Sequence, residues 1–208
     1  MSIYHWILFA ALMTCLASCL YHFFRVVRKG APTDHAKAKG GIAAAVKYSF
    51  TRGMSPAKKE TAFLHLPTYA AGIVFHMGTF LSLFLLILIF FNVDVNLWIA
   101  CACVAFLILS CVAGIGILVK RISSKKMRGL SNPDDYISNL LVCGFQALVA
   151  LSMIRAEFVQ ALLICAALLF LYIPLGKLRH TVYFFTSRYH LGVFYGRRGT
   201  WPVKKQKI

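Results

Sequence analysis

The chain has 208 residues, of which 60% are apolar and only 14% charged, against about 45–50% and about 25% in soluble globular domains, which excludes a soluble domain and leaves room for a handful of membrane spans. Its formal charge of +17 would suggest nucleic acid as a partner in a soluble chain. Here the cations fall in blocks between long apolar runs, which excludes that partner and points to the faces of a lipid bilayer.

In chain order, five runs supply the roughly 20 mostly apolar residues that a transmembrane helix needs: 3–24, 63–91, 97–119, 136–154 and 158–176. The first has no basic segment ahead of it and no small-residue cleavage motif, and Arg25, Arg28 and Lys29 follow it, so it reads as a retained span and not as a signal peptide. Residues 25–62 then form a loop with nine Lys and Arg. Inside it, 41–52 (GIAAAVKYSFTR) fits either a short amphipathic helix on a membrane surface or a solvated basic loop. The second and third spans are joined by Asn92-Val-Asp-Val-Asn96 alone, and the fourth and fifth by Arg155-Ala-Glu157, both tight hairpins. A second basic loop, 120–135, carries five Lys and Arg and ends in Ser131-Asn-Pro-Asp-Asp135, whose acidic residues suit the first turn of a helix. The tail, 177–208, carries eight more. Of the 23 cations, 22 lie on one side of this layout and only Arg155 on the other, and the positive-inside rule makes the basic side cytoplasmic. The expected fold is an all-α integral membrane five-helix bundle, a single membrane domain with its N-terminus outside and its C-terminus cytoplasmic.

All seven cysteines lie within apolar runs and none forms a CxxC pair, so they read as packing residues and support neither disulfides nor a cysteine-ligated iron–sulfur cluster. Ionisable residues within spans mark function, because they are costly in lipid. There is no intramembrane series of Asp, Glu, Lys or Arg, which disfavours a transporter. Histidines are the exception. Neutral imidazoles from two helices at one depth can bind haem iron as axial ligands. Counted from the outer hairpins, His65 lies 26 residues from Phe91 and His180 lies 23 from Glu157, depths of roughly 39 and 35 Å if both segments are helical. These two are therefore expected to pair. His76 follows His65 by eleven residues, nearly three turns and about 16 Å, so both face the same way, as ligands of two stacked haems would. His76 has no histidine partner at its own depth, and a pairing of His76 with His180 stays open. His5 and His22 read as interfacial residues of the first span, beside Tyr4, Trp6 and Tyr21, and His35 as part of a solvated loop. His190 falls in the tail beyond the membrane. That tail, with arginines, aromatics and glycines interleaved over 188–202, reads as a docking strap for a cytoplasmic partner or as a binder of anionic lipid.

Several features together carry a resemblance. They are five spans, His65 and His76 in His65-Leu-Pro-Thr-Tyr…Phe75-His76-Met-Gly, a third span ending Gly114-Ile-Gly-Ile-Leu-Val-Lys-Arg121, the Ser131–Tyr136 helix start, and Leu171-Tyr-Ile-Pro-Leu-Gly-Lys-Leu-Arg-His180. In this order they resemble the cytochrome b (gamma) subunit of respiratory nitrate reductase. The chain is also similar to the related membrane subunits of heterodisulfide reductase and of the sulfite-reduction-associated Dsr complex, to which Val46-Lys-Tyr-Ser-Phe-Thr-Arg52 is nearer. The likeness runs from about Gly41 to His180.

The resemblance implies a haem b-binding, multi-pass subunit of a prokaryotic inner membrane. It would carry electrons between menaquinone or ubiquinone and a cytoplasmic iron–sulfur subunit, as part of an oxidoreductase complex and not as a stand-alone catalyst. It further implies that His65 and His180 ligate the haem nearer the cytoplasm and His76 the haem nearer the outside, with one haem expected and two allowed. The family's fourth histidine lies deep in the fifth span, where 158–173 holds none, and the outer hairpin NVDVN lacks the family's polar quinol-site residues. Two other readings stay open, a haem-free membrane anchor of such a complex and a small transporter.

Overall fold

In hydrocarbon every backbone N–H and C=O must be bonded within the segment, so long apolar runs become helices. The computed structural model describes residues 2–30, 34–55 and 65–203, and it is all α, with no strand among these residues. Its helices are α1 (Ile3–Lys29), α2 (Ile42–Phe50), α3 (Leu66–Phe90), α4 (Leu97–Ser123), α5 (Lys125–Gly129), α6 (Pro133–Ile154), α7 (Val159–Tyr172) and α8 (His180–Arg197). By length and composition α1, α3, α4 and α6 can cross a bilayer, and a fifth crossing exists if Ala156–Tyr172 and Lys177–Arg197 are taken as one broken span. The expected start of the second span at Phe63 and Leu64 lies outside the described residues.

Helix ends follow local chemistry. Asn96 caps α4 by accepting from the Trp98 N–H at 2.9 Å. The expected helix start at 131–135 is a capping box: Asn132 Oδ1 accepts from the Asp135 N–H at 3.1 Å, Asp135 Oδ2 accepts from the Asn132 N–H at 3.0 Å, and Pro133 holds the first helical position. The fifth span is corrected. The reading from sequence runs it through 176, yet α7 stops at Tyr172, capped by the Ile173 N–H donating to the Leu169 carbonyl at 3.0 Å. Pro174 has no N–H to offer the Phe170 carbonyl and its ring crowds that turn. Beyond the break the chain passes close to its neighbours, where only glycine fits: a Cβ at Gly176 would stand 2.7 Å from Asp134 Oδ1 and from the Tyr172 ring. The depth count from Glu157 to His180 therefore does not run along a single helix.

The chain divides into two compact units, Met1–Ala17 with Pro67–Leu178, and Ser18–Leu66 with Arg179–Ile208. In the first, α4 packs on α6 and α6 on α7 around Leu85, Leu107, Phe145, Val149, Leu162 and Ala166. Close helix approach is set by glycine: a Cβ on Gly78 would overlap the Ser110 side chain, and one on Gly114 would stand 2.7 Å from Cys143 Sγ and strike the Phe75 ring. The outward positions of this unit are large and apolar, Phe80 at 66%, Phe84 at 57% and Trp98 at 82% exposure, the pattern of a surface solvated by lipid tails.

In the second unit α2 packs on α8. A Cβ on Gly192 would stand 2.6 Å from Val46 Cα, and one on Gly196 would stand 2.7 Å from Ala45 Cβ, so this G-x-x-x-G pair is the seat of α2. Ser49 Oγ donates to the Arg188 carbonyl at 2.8 Å across the same seam. Segment 41–52 thus contains a helix, with Ala45, Tyr48 and Ser49 buried against protein, and the basic tail is largely helical as well.

Candidate functional site

The three histidines expected to bind metal differ in setting. His65 immediately precedes α3 and is exposed, His180 is the first residue of α8 and is exposed, and both belong to the second compact unit. His76 belongs to the first unit, on an exposed face of α3 ten residues beyond Leu66, about 15 Å along the helix. Its Nδ1 lies 2.7 Å from the Gly72 carbonyl oxygen. A carbonyl only accepts, so Nδ1 carries the proton and the lone pair of the neutral ring is on Nε2, the nitrogen that coordinates when a backbone carbonyl orients the ring from behind. No group of three or more His, Cys, Asp or Glu that could hold a bare metal ion occurs among the described residues. A haem needs only two imidazoles from the protein.

His5, His22 and His190 take structural partners. His5 lies 2.8 Å from Ser2 Oγ and packs against Phe90, with ring centroids 5.2 Å apart. His22 Nδ1 is 3.3 Å from the Tyr183 hydroxyl, and the two rings meet edge to face. His190 packs edge-on against Tyr189.

Two polar clusters in the first unit were not anticipated from the sequence. Gln146 is fully buried and its Nε2 donates to the Phe75 carbonyl at 3.1 Å and to Thr79 Oγ1 at 2.9 Å, while Ser110 Oγ donates to the Val74 carbonyl at 3.2 Å. These bonds tie α3, α4 and α6 at mid-depth. The other cluster joins the end of α4, the start of α6 and the end of α7. Asp135, almost buried, pairs with Arg121 at 3.4 Å and with Lys177; Asp134 accepts from the Tyr172 hydroxyl and, at 3.1 Å, from Ser138 Oγ; and Arg121 also donates to Ser131 Oγ at 2.9 Å. Asp134 and Asp135 read from sequence only as a helix start. The missed signal was their rarity, two of just six acidic residues standing together in a basic loop.

In the second unit Asp34 binds Arg198 through Nη1 at 2.7 Å and Nη2 at 3.2 Å, and it accepts from the Ala36 N–H at 3.0 Å. That backbone N–H and the two arginines, Arg198 and Arg197, hold its carboxyl below the usual aspartate range, against a smaller opposing effect of burial. The strand of chain that follows is tied down by the Lys39 N–H to the Arg197 carbonyl at 2.8 Å. Trp201 closes the assembly, 5.3 Å from the Tyr48 ring and 4.6 Å from the Tyr195 ring.

No family model matches the chain, and no curated protein or solved structure is significantly similar to it.

Proposed function

We propose that this multi-pass membrane protein is a haem b-binding electron-transfer subunit, working between the quinone pool and a cytoplasmic iron–sulfur protein. The observation that carries the proposal is the setting of His76. It is the only basic side chain in the 25 residues of α3, it faces outward from a helix of otherwise apolar and small residues, and its ring is oriented by the Gly72 carbonyl with the lone pair on Nε2. An imidazole presented in this way suits a large apolar group bearing a metal. His65 and His180, in one compact unit, are the residues we assign as the ligand pair of the expected haem, as the resemblance to the nitrate reductase gamma subunit suggests, and His76 is the candidate ligand of a further haem. When bound, haem supplies one-electron chemistry at its iron. The histidines would hold it through imidazole nitrogen, and the apolar helices would exclude water from it. The basic side of the molecule is assigned to the cytoplasm by the positive-inside rule, with the N-terminus outside. The arginine- and aromatic-rich α8 with α2 then offers a folded surface to the cytoplasmic partner, and the inner membrane of a prokaryote is the assigned location.

A haem-free anchor of such a complex is the second reading. The interruption of the chain at 173–176 favours it, because that break removes the continuous helix along which His65 and His180 match in depth. A pyridine haemochrome spectrum of the purified, haem-supplied chain separates the two. One haem b per chain is expected, with His180→Ala removing it while helix content is unchanged; two haems per chain would add a site at His76. No haem in folded wild-type protein establishes the anchor instead.

A further inference from the structure

The first compact unit contains a furrow whose polarity runs in one direction, between the start of α3 and the end of α4. The two helices touch closely at Gly78 with Ser110 and at Gly114 with Phe75. Toward the basic face they leave space: a Cβ on Gly116 would meet nothing within 4 Å, and Ala71, Ala113, Gly116 and Ile117 line an opening of about 230 Å³. At its mouth Lys120 Nζ donates to Thr68 Oγ1 at 2.6 Å, and the exposed Lys120 ammonium forms no ion pair with a carboxylate among the described residues. Its neighbour Arg121, by contrast, is taken up by Asp135.

Depth gives the furrow its meaning. Lys120 is 23 residues from Leu97 along α4, and Thr68 is 22 from Phe90 along α3, so both stand roughly 33–35 Å from the opposite helix ends, at headgroup level beyond a hydrocarbon core of about 30 Å. Ala113 and Gly116, 16 and 19 residues from Leu97, lie roughly 24–29 Å along, still within the hydrocarbon. A cation with a hydroxyl beside it at headgroup depth, opening onto a small-residue trough at acyl depth, repeats the layout of a phospholipid. The positive charge, with no carboxylate among the described residues paired to it, selects an anionic one.

We propose that this furrow is a binding site for one anionic phospholipid of the leaflet on the basic face. Its phosphate is taken by Lys120 Nζ and Thr68 Oγ1, and the upper part of one acyl chain lies over Ala113 and Gly116. The lipid fills the gap where α3 and α4 part, and so belongs to the structure of the bundle.

The test is native mass spectrometry of the full chain released from mild detergent, with phosphatidylglycerol and phosphatidylcholine as probes at matched concentrations. Wild-type chain is expected to retain one phosphatidylglycerol in preference to phosphatidylcholine. Lys120→Gln, an exposed position, should lower that occupancy about five-fold, the effect of one cation near a membrane surface. Gly116→Leu, which fills the trough, should abolish it, with helix content by circular dichroism confirming that each variant is folded. Arg25→Gln/Arg28→Gln, in the separate cationic cluster at the end of α1, should leave retention unchanged. Equal retention of the two lipids by wild type, undiminished retention by folded Lys120→Gln and Gly116→Leu, or loss confined to the α1 variant would each overturn the proposal.

Discussion

Single residues set how closely the helices of the first unit approach. Gly78 and Gly72 are equivalent in sequence, both glycines in one apolar helix, and only Gly78 faces a neighbour that a methyl group would strike. Gly78→Ala should therefore destabilise the protein by about 1–3 kcal/mol through overpacking against Ser110. Gly72→Ala should be neutral or stabilise it by up to about 1 kcal/mol, because alanine loses less backbone entropy in a helix. Thermal unfolding in detergent followed by circular dichroism distinguishes the two, and equal melting temperatures would contradict the packing assigned to Gly78. Gln146 makes the same point from the polar side. Its place in an apolar run marks it as unusual, but the Phe75 carbonyl and Thr79 that satisfy it lie some 70 residues earlier, and only the fold brings them to it. Spacing along the sequence located the candidate histidines, and it carried no information on which ring nitrogen each would present. For His76 that was decided by the turn of helix beneath it.

At the scale of elements, hydropathy located α1, α3, α4 and α6 within a few residues, because length and apolarity alone commit a segment to a helix that can span lipid. The helix start at 131–135 was readable for an equally local reason, although its capping box was not. The expected fifth helix forms but ends at Tyr172, short of 176, because Pro174 stops the helical backbone where the apolar run continues. Average hydropathy is blind to a missing N–H. The α2–α8 pair was only half legible: a helix at 41–52 was one of two readings, whereas its seat on Gly192 and Gly196 needed the tertiary contact. Gly192→Leu should expel α2, seen as faster amide hydrogen exchange over 42–50 with the exchange of α4 and α6 unchanged. The Asp34–Arg198 pair that ties the ends of this element should respond to pH. Because the folded carboxyl titrates below its ordinary value of about 3.9, its stabilisation is full above that value and is lost as pH falls through it toward the lower folded one. With Trp6 and Trp98 replaced by Phe, the emission of Trp201 should shift to the red over that acidic window. Asp34→Asn should show the shifted spectrum already at neutral pH, and a pH-independent wild-type signal would rule the latch out.

For the whole molecule the open quantity is the number of crossings. The segment Ala156–Tyr172, 3₁₀ turn and helix together, spans 17 residues, about 25 Å, slightly less than the hydrocarbon core. If it crosses, the layout has five spans and places the two termini on opposite sides; if it re-enters, four spans place them together. Paired reporter fusions at the two ends should find the N-terminus outside and the C-terminus inside, and reporters active on one side would reduce the bundle to four crossings. The sequence by itself determined that this is a helical membrane protein whose cations fall in blocks between its apolar runs, because burial in lipid and the distribution of charge act on each segment independently. The tertiary structure alone decided where α3 and α4 touch and where they part and which acids pair with Arg121 and Lys177. Those depend on contacts between residues far apart in the chain, which no average over a window of sequence retains.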